Sequence, residues 1–203
     1  MKELRPGLWT WTAPHPDWTP EQGGPEGWER DVRSYALAAG NTLVLFDPMS
    51  PPPHVDELAA GKEVAVVLTC YWHQRSARDL AERLGAALHA PEIDIDKLEA
   101  AATPYRLGDR LPGDIEPRNG AYPTECLLWI PAHGALVAGD ALLDGERGLR
   151  VQPDSWLDEG MTHEGLRAQL RPLLDLPLEL VLPTHGDAVV KNARRELERA
   201  LAT

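Results

Sequence analysis

Apolar positions recur along this chain with two periods. Over 7–12 (Gly-Leu-Trp-Thr-Trp-Thr) they alternate with polar ones, the pattern of a strand with one buried face. A polar stretch rich in proline and glycine, carrying Trp18 and Trp28, then reads as a loop. Segments 34–39 and 41–46, divided by Gly40, read as paired strands. The β-branched run 63–69 after Gly61 reads as a buried central strand. Helical spacing takes over at 76–84, where Ala77, Leu80, Ala81 and Leu84 share a face and Ser76 stands at the N-cap position. A short strand follows at 86–90. The second half repeats the alternation, with strands at 125–130, 135–138 and 178–182 and helices over 163–174 and 188–201. Paired strands followed by strand–helix alternation in each half predict an α/β protein whose sheets lie between helices. No repeat and no linker divides the sequence, so 1–203 is read as a single domain.

Charge narrows the partners. Thirty-two Asp and Glu against twenty Lys and Arg leave a net charge of −12, with no basic cluster to interrupt it. Such a surface repels phosphate, which argues against nucleic acid and anionic membrane as partners and leaves a small molecule as the expected one. The longest apolar runs, such as 64–68, are too short to span a bilayer, and residues 1–6 carry no apolar signal core. The expected location is therefore the cytoplasm. Cys70 and Cys126 are too few and too isolated for a disulfide framework, and are expected as buried thiols.

Four strand ends carry polar side chains, where α/β proteins usually assemble sites. They are Asp47-Pro48, the segment Thr69-Cys70-Tyr71-Trp72-His73-Gln74-Arg75, Gly139-Asp140, and Leu182-Pro183-Thr184-His185-Gly186. Each alone has a structural reading: Asp47 ending a strand, Asp140 capping a turn, His185 packed in a turn. Their order and spacing together resemble the metallo-β-lactamase superfamily, over about residues 5–190. The sharpest match is Val137-Ala138-Gly139-Asp140-Ala141-Leu142, with Leu182-Pro183-Thr184-His185-Gly186 behind it. The resemblance implies a four-layer αβ/βα sandwich with Asp47, Thr69, Asp140 and His185 gathered at one edge of two sheets.

In that superfamily the second landmark reads Thr-His-x-His-x-Asp-His and helps to hold two metals. Aligning Thr69 on its threonine puts Cys70 and Trp72 at the first two histidine positions, Gln74 at the aspartate and Arg75 at the last histidine. His73 falls on a spacer, and Ala121 in the later turn takes another histidine's place. Of the ligand positions only Asp140 and His185 match, with Cys70 a conceivable third. Zinc asks for at least three protein ligands, so no cofactor is expected, the alternative being one zinc. A guanidinium has no lone pair to give a metal, so Arg75 is expected to pair with Asp140 and replace the lost positive charge, or else to point to solvent.

The resemblance also places Trp18, Trp28 and Trp72 in loops that overhang the site, so these residues, with His73 and Arg75, form the expected substrate-binding set. The segment 152–156 is a further pocket wall. His15, His54, His89, His133 and His163 are expected at the surface. Two functions follow from the resemblance. One is a protein of this fold that binds a small molecule or a partner without a dinuclear metal site. The other is a hydrolase of an ester, thioester or lactone using one metal held by Cys70 or His73 with Asp140 and His185.

Overall fold

The computed structural model describes residues 1–24 and 27–202. Pro25 and Glu26 of the expected Trp-bearing loop, and Thr203 at the end of the expected domain, lie outside the described residues. The first half builds a seven-stranded sheet. Strands β1 (Lys2–Arg5), β2 (Leu8–Pro14), β3 (Asp31–Ala39) and β4 (Thr42–Phe46) pair antiparallel in sequence order. Strands β5 (Glu63–Val67), β6 (Ala87–Pro91) and β7 (Thr103–Tyr105) then add on in parallel. Parallel neighbours need a crossover, and helices α1 (His54–Ala59) and α2 (Ala77–Leu84) lie within the β4–β5 and β5–β6 connections.

In the second half β8 (Glu116–Asn119), β9 (Cys126–Ile130) and β10 (Ala135–Val137) form an antiparallel meander. The hairpin of β11 (Leu142–Gly145) and β12 (Gly148–Val151) follows, then helix α3 (His163–Leu170). Strand β13 (Leu180–Leu182) returns parallel to β10, giving the order β13-β10-β9-β8, and α4 (Ala193–Ala202) completes the second half.

Period-two alternation sorts the side chains into layers. Val44 and Phe46 of β4 meet Leu128 and Ile130 of β9 and Val137 of β10 in a core between the two sheets. Leu43 and Leu45 point the other way, into a second core with Val55 of α1 and Ala77 and Leu80 of α2. Leu127 and Trp129 likewise turn outward onto Leu166 and Leu170 of α3 and Leu197 and Leu201 of α4. The result is the expected αβ/βα sandwich. Among the described residues no helix is long and apolar enough to cross a membrane.

The differences from the sequence reading have local causes. The α-helix expected over 163–174 ends at Leu170, because Pro172 cannot continue it and the chain tightens into a 3₁₀ turn over Arg171–Asp175. The helix expected from 188 begins at Ala193, because Val189 exchanges both backbone hydrogen bonds with Val181 at the sheet edge. Ser76 precedes α2 as expected, but its hydroxyl accepts the Ser50 N–H at 2.9 Å instead of capping the helix. Strands β1, β7 and β8, the two strands of the β11–β12 hairpin and α1 lie outside the sequence reading; each is three to six residues long, too short for apolar periodicity to stand out.

Candidate functional site

Asp47 follows β4, Thr69 follows β5, Asp140 follows β10 and His185 follows β13. These are the carboxyl ends of two parallel strand pairs, one in each sheet, and the sandwich brings them to one edge. Asp47 is buried at φ 43°, a strained value for a side chain other than glycine. Bonds to Thr69 and Ser34 help to hold it there. Its Oδ1 accepts the Thr69 N–H at 2.8 Å, its Oδ2 accepts the Thr69 hydroxyl at 2.7 Å, and its carbonyl accepts the Ser34 hydroxyl at 2.8 Å.

After Thr69 the chain enters a 3₁₀ turn, Tyr71–His73, with Cys70 as its N-cap residue. Three residues per turn eclipse positions i and i+3, which sets His73 beside Cys70 and turns it inward. The position that aligns with a spacer of the family motif thus turns its side chain toward Asp140. The imidazole is buried, with Nδ1 at 3.0 Å from Thr69 Oγ1 and 3.1 Å from Asp47 Oδ2. Its Nε2 lies 3.2 Å from Asp140 Oδ1.

Asp140 is the hub of the cluster. Gly139 before it sits at φ 51°, where a Cβ would come within 2.5 Å of Glu125 Oε1, so only glycine fits. The Trp72 indole donates from Nε1 to Asp140 Oδ2 at 2.9 Å. His185 Nε2 reaches Oδ1 at 3.3 Å, so Oδ1 takes two imidazole nitrogens as close ion-pair contacts outside in-line hydrogen-bond geometry. His185 is placed by its loop: the Arg33 N–H donates to the Thr184 carbonyl at 2.8 Å, the Asp144 N–H to the His185 carbonyl at 3.0 Å, and the Tyr35 hydroxyl to the Pro183 carbonyl at 2.7 Å.

Electrostatics divides the roles. Burial and then the Arg75 charge oppose protonation of His73, but Asp140 and Asp47 outweigh them and hold its pKa well above the ordinary value. Burial works against the Asp140 carboxylate too, yet His73 and His185 keep it well below the usual range. His185 moves down, through burial and the nearby Arg75 and His73 charges, despite its contact with Asp140. The shifts thus favour the charged forms of His73 and Asp140 and the neutral form of His185.

The expected Arg75–Asp140 ion pair does not form. Arg75 stands at φ 37° just past the 3₁₀ turn and donates from Nη1 to the Asp47 carbonyl at 3.0 Å. The three nitrogen partners of Asp140 come instead from Trp72, His73 and His185. Cys70 is fully buried, its Sγ lies 3.7 Å from Thr69 Oγ1, and burial pushes its thiol up to about 12, so it offers no thiolate.

Sequence reading missed Glu125. Its Oε2 accepts the Ala121 N–H at 2.7 Å and its Oε1 the Asp140 N–H at 2.8 Å, so one carboxylate splints the two loops. Burial, and then the Asp140 charge, push its pKa up to about 7. A lone glutamate entering an apolar strand was the available signal.

Aromatic rings roof the cluster. Trp28 and Trp156 pack edge-on against His185 at 5.1 and 5.6 Å, and Trp72 against Tyr122 at 6.2 Å. The 152–156 segment thus reaches the cluster through Trp156. Trp18 stands further back, its Nε1 donating to the Trp28 carbonyl at 3.0 Å. His15 and His163, expected at the surface, are half-buried here: His15 lies edge-on to Trp28 at 5.1 Å, and His163 Nε2 is 2.9 Å from the Gln152 carbonyl.

Among the described residues no group of three or more His, Cys, Asp or Glu is arranged to hold a metal ion. The donor set does not fit the two-metal centre that the resemblance implies. Indole, carboxamide, guanidinium and methyl stand at Trp72, Gln74, Arg75 and Ala121, and the indole points an N–H, not a lone pair, at Asp140.

No protein-family model matches the sequence, and neither does any curated protein. Solved structures do match. A metallo-beta-lactamase family protein from Thermus thermophilus is 18% identical, over 98% of this chain and 80% of its own, with a TM-score of 0.67. A metallo beta lactamase from Erythrobacter litoralis, solved with beta mercaptoethanol in the active site, is 13% identical over 99% and 93%, with a TM-score of 0.70. TTHA1623, solved in a di-iron-bound form, is 23% identical over 85% and 94%, with a TM-score of 0.59. Two sheets facing each other between helices, with the polar cluster at their shared edge, thus give this chain the metallo-β-lactamase fold.

Proposed function

We propose that this protein binds a small molecule at the edge of the two sheets, without a dinuclear metal. The observation that carries this reading is the ring of nitrogen groups around Asp140, where Trp72, His73 and His185 converge on one carboxylate. That edge is roofed by Trp28, Trp72, Trp156 and Tyr122. Indole and phenol rings give apolar area with a polar tip. The chemistry that suits them is a flat, largely apolar molecule carrying one polar group able to reach Asp140, whose side chain is 14% exposed. The net charge of −12 speaks against polyanionic ligands.

Two measurements on freshly purified, chelator-free protein test it. Elemental analysis is expected to find well under one metal per chain. A thermal-shift screen of small aromatic compounds is expected to give hits that persist in EDTA and are lost in Trp156→Ala. The competing reading, a one-metal hydrolase of esters, thioesters or lactones, makes the opposite forecast: about one metal per chain, and an esterase activity that chelation removes. That outcome would overturn the proposal.

A further inference from the structure

We propose that Tyr122 is a positioning residue: it fixes the indoles of Trp72 and Trp156 relative to each other and so sets the preference of the site for planar ligands. This rests on the preceding reading of the sheet edge as a small-molecule site and names the residue that shapes it.

Tyr122 touches both sides of the roof. Its ring meets Trp72 edge-on at 6.2 Å, and Trp72 in turn donates from Nε1 to Asp140 Oδ2 at 2.9 Å. Its hydroxyl donates to the backbone carbonyl of Trp156, whose own ring lies edge-on to His185 at 5.6 Å. A phenol has one proton to give, so any further bond at that oxygen is an accepted one. Gln152 Nε2 supplies it. Gln152 is fully buried and its Oε1 has no partner among the described residues, so the bond to Tyr122 is what orients this amide.

The two indoles arrive from different parts of the chain. Trp72 stands in the 3₁₀ turn Tyr71–His73 after β5, and Trp156 in the 3₁₀ turn Asp154–Trp156 after β12. Chain connectivity therefore does not set their spacing, and a residue that reaches both can. The backbone at Tyr122 is held on its own account: Gln169 of α3 donates to the Gly120 carbonyl, Glu125 Oε2 accepts the Ala121 N–H, and the Glu125 N–H donates to the Tyr122 carbonyl at 3.1 Å. Its ring packs on the core of the second half.

Planarity enters through the ring geometry. Every ring contact of Trp72 and Trp156 among the described residues is edge-on, at interplanar angles between 69° and 90°. No ring is stacked flat on either indole there, and both are half-buried. Offset stacking is the remaining favourable arrangement for an aromatic pair, and it suits a planar ligand better than a puckered one.

Fluorine NMR of the full-length protein labelled with 5-fluorotryptophan gives the first test. The signals of Trp72 and Trp156, among seven tryptophans, are assigned by substituting each with Phe. Tyr122→Phe keeps the ring and deletes the hydroxyl, so the Trp156 signal is expected to shift while Trp9 and Trp11 of β2 stay in place. Tyr122→Leu removes the ring as well and is expected to shift Trp72 too. Isothermal titration with benzamide and with cyclohexanecarboxamide, the same amide on a puckered ring, gives the second. Wild type is expected to prefer benzamide by about fivefold, the scale of one aromatic contact, and Tyr122→Phe to lose most of that preference. An unmoved Trp156 signal in Tyr122→Phe overturns the proposal, and so does a lower Tm with the preference intact, which would make Tyr122 merely structural. Equal binding of the two amides by wild type, or binding of neither when other compounds in the thermal-shift screen bind, also overturns it and leaves the small-molecule reading standing. A screen without hits overturns both.

Discussion

Glu125 accepts the backbone N–H of Asp140 through one carboxylate oxygen, at 2.8 Å, while its other oxygen accepts the N–H of Ala121. Two loops from the same sheet, one before β9 and one after β10, are thereby fixed to each other by a buried side chain. Glutamine can offer only one acceptor oxygen, and its NH₂ must then face one of the two N–H groups. Glu125→Gln is expected to cost about 1–3 kcal/mol at neutral pH, read by urea denaturation.

The same residue sets a pH dependence. Its folded pKa, about 7, lies above the ordinary 4.5, so the folded state binds the proton more tightly than the unfolded one. The contribution is fully present below about pH 4.5 and is lost as pH rises through 7, a swing of about 3 kcal/mol at most. Wild-type stability measured relative to Glu125→Gln should therefore fall between about pH 5 and pH 8. A rising difference across that window would reverse the assignment.

Tyr35 connects the interior to the site. Its ring packs in the core between the sheets, and its hydroxyl donates to the Pro183 carbonyl two residues before His185. Burial raises that hydroxyl's pKa well above normal, so it stays a donor. Tyr35→Phe leaves the carbonyl without this partner and is expected to cost about 1–3 kcal/mol. Because the loop also carries His185, the ring signals of His185 should shift in the NMR spectrum of the variant. An unmoved His185 would show that the Arg33 and Asp144 bonds hold the loop alone.

Much of this architecture was legible in the sequence because it is periodic. Alternation marked β2, continuous apolar runs marked β4, β5 and β9, and the four polar strand ends were read in the right places because parallel strands point their carboxyl ends one way. What stayed hidden was set by geometry that spacing does not encode. A 3₁₀ turn, which motif spacing does not encode, decides that His73 and not Arg75 meets Asp140. Glu125 was hidden for a related reason: its partners are backbone N–H groups, which every sequence offers equally.

Arg75 has a smaller role than its position suggested. Its one described hydrogen bond runs to the Asp47 carbonyl at 3.0 Å, and its charge weakens protonation of His15, His73 and His185. Arg75→Ala is expected to cost about 1–2 kcal/mol, the scale of one charge-assisted bond to a carbonyl, and not the roughly 3–5 of a broken buried ion pair. The His185 pKa should rise in the same variant, since a repelling charge is removed. A loss above about 3 kcal/mol with His185 unchanged would point back to a direct ion pair with Asp140.

Trp72 offers the sharpest separation of ring from hydrogen bond. Its Nε1 donates to Asp140 Oδ2 at 2.9 Å, and its ring packs against Tyr122 at 6.2 Å and His73 at 6.2 Å. Trp72→Phe keeps an aromatic ring and deletes the N–H, so Asp140 loses one of its three nitrogen partners. The expected cost is about 1–3 kcal/mol, since a carboxylate that is mostly buried loses a charge-assisted bond. Asp140 should then lean more heavily on His73 and His185. If a small-molecule hit from the thermal-shift screen places its own donor on Asp140, that hit should bind Trp72→Phe at least as well as wild type, because the freed oxygen needs a partner. If instead the ligand stacks on the indole, binding should weaken in Trp72→Phe by about tenfold, the size of a roughly 1.4 kcal/mol loss of aromatic contact. Isothermal titration of the two proteins against the same compound distinguishes the cases.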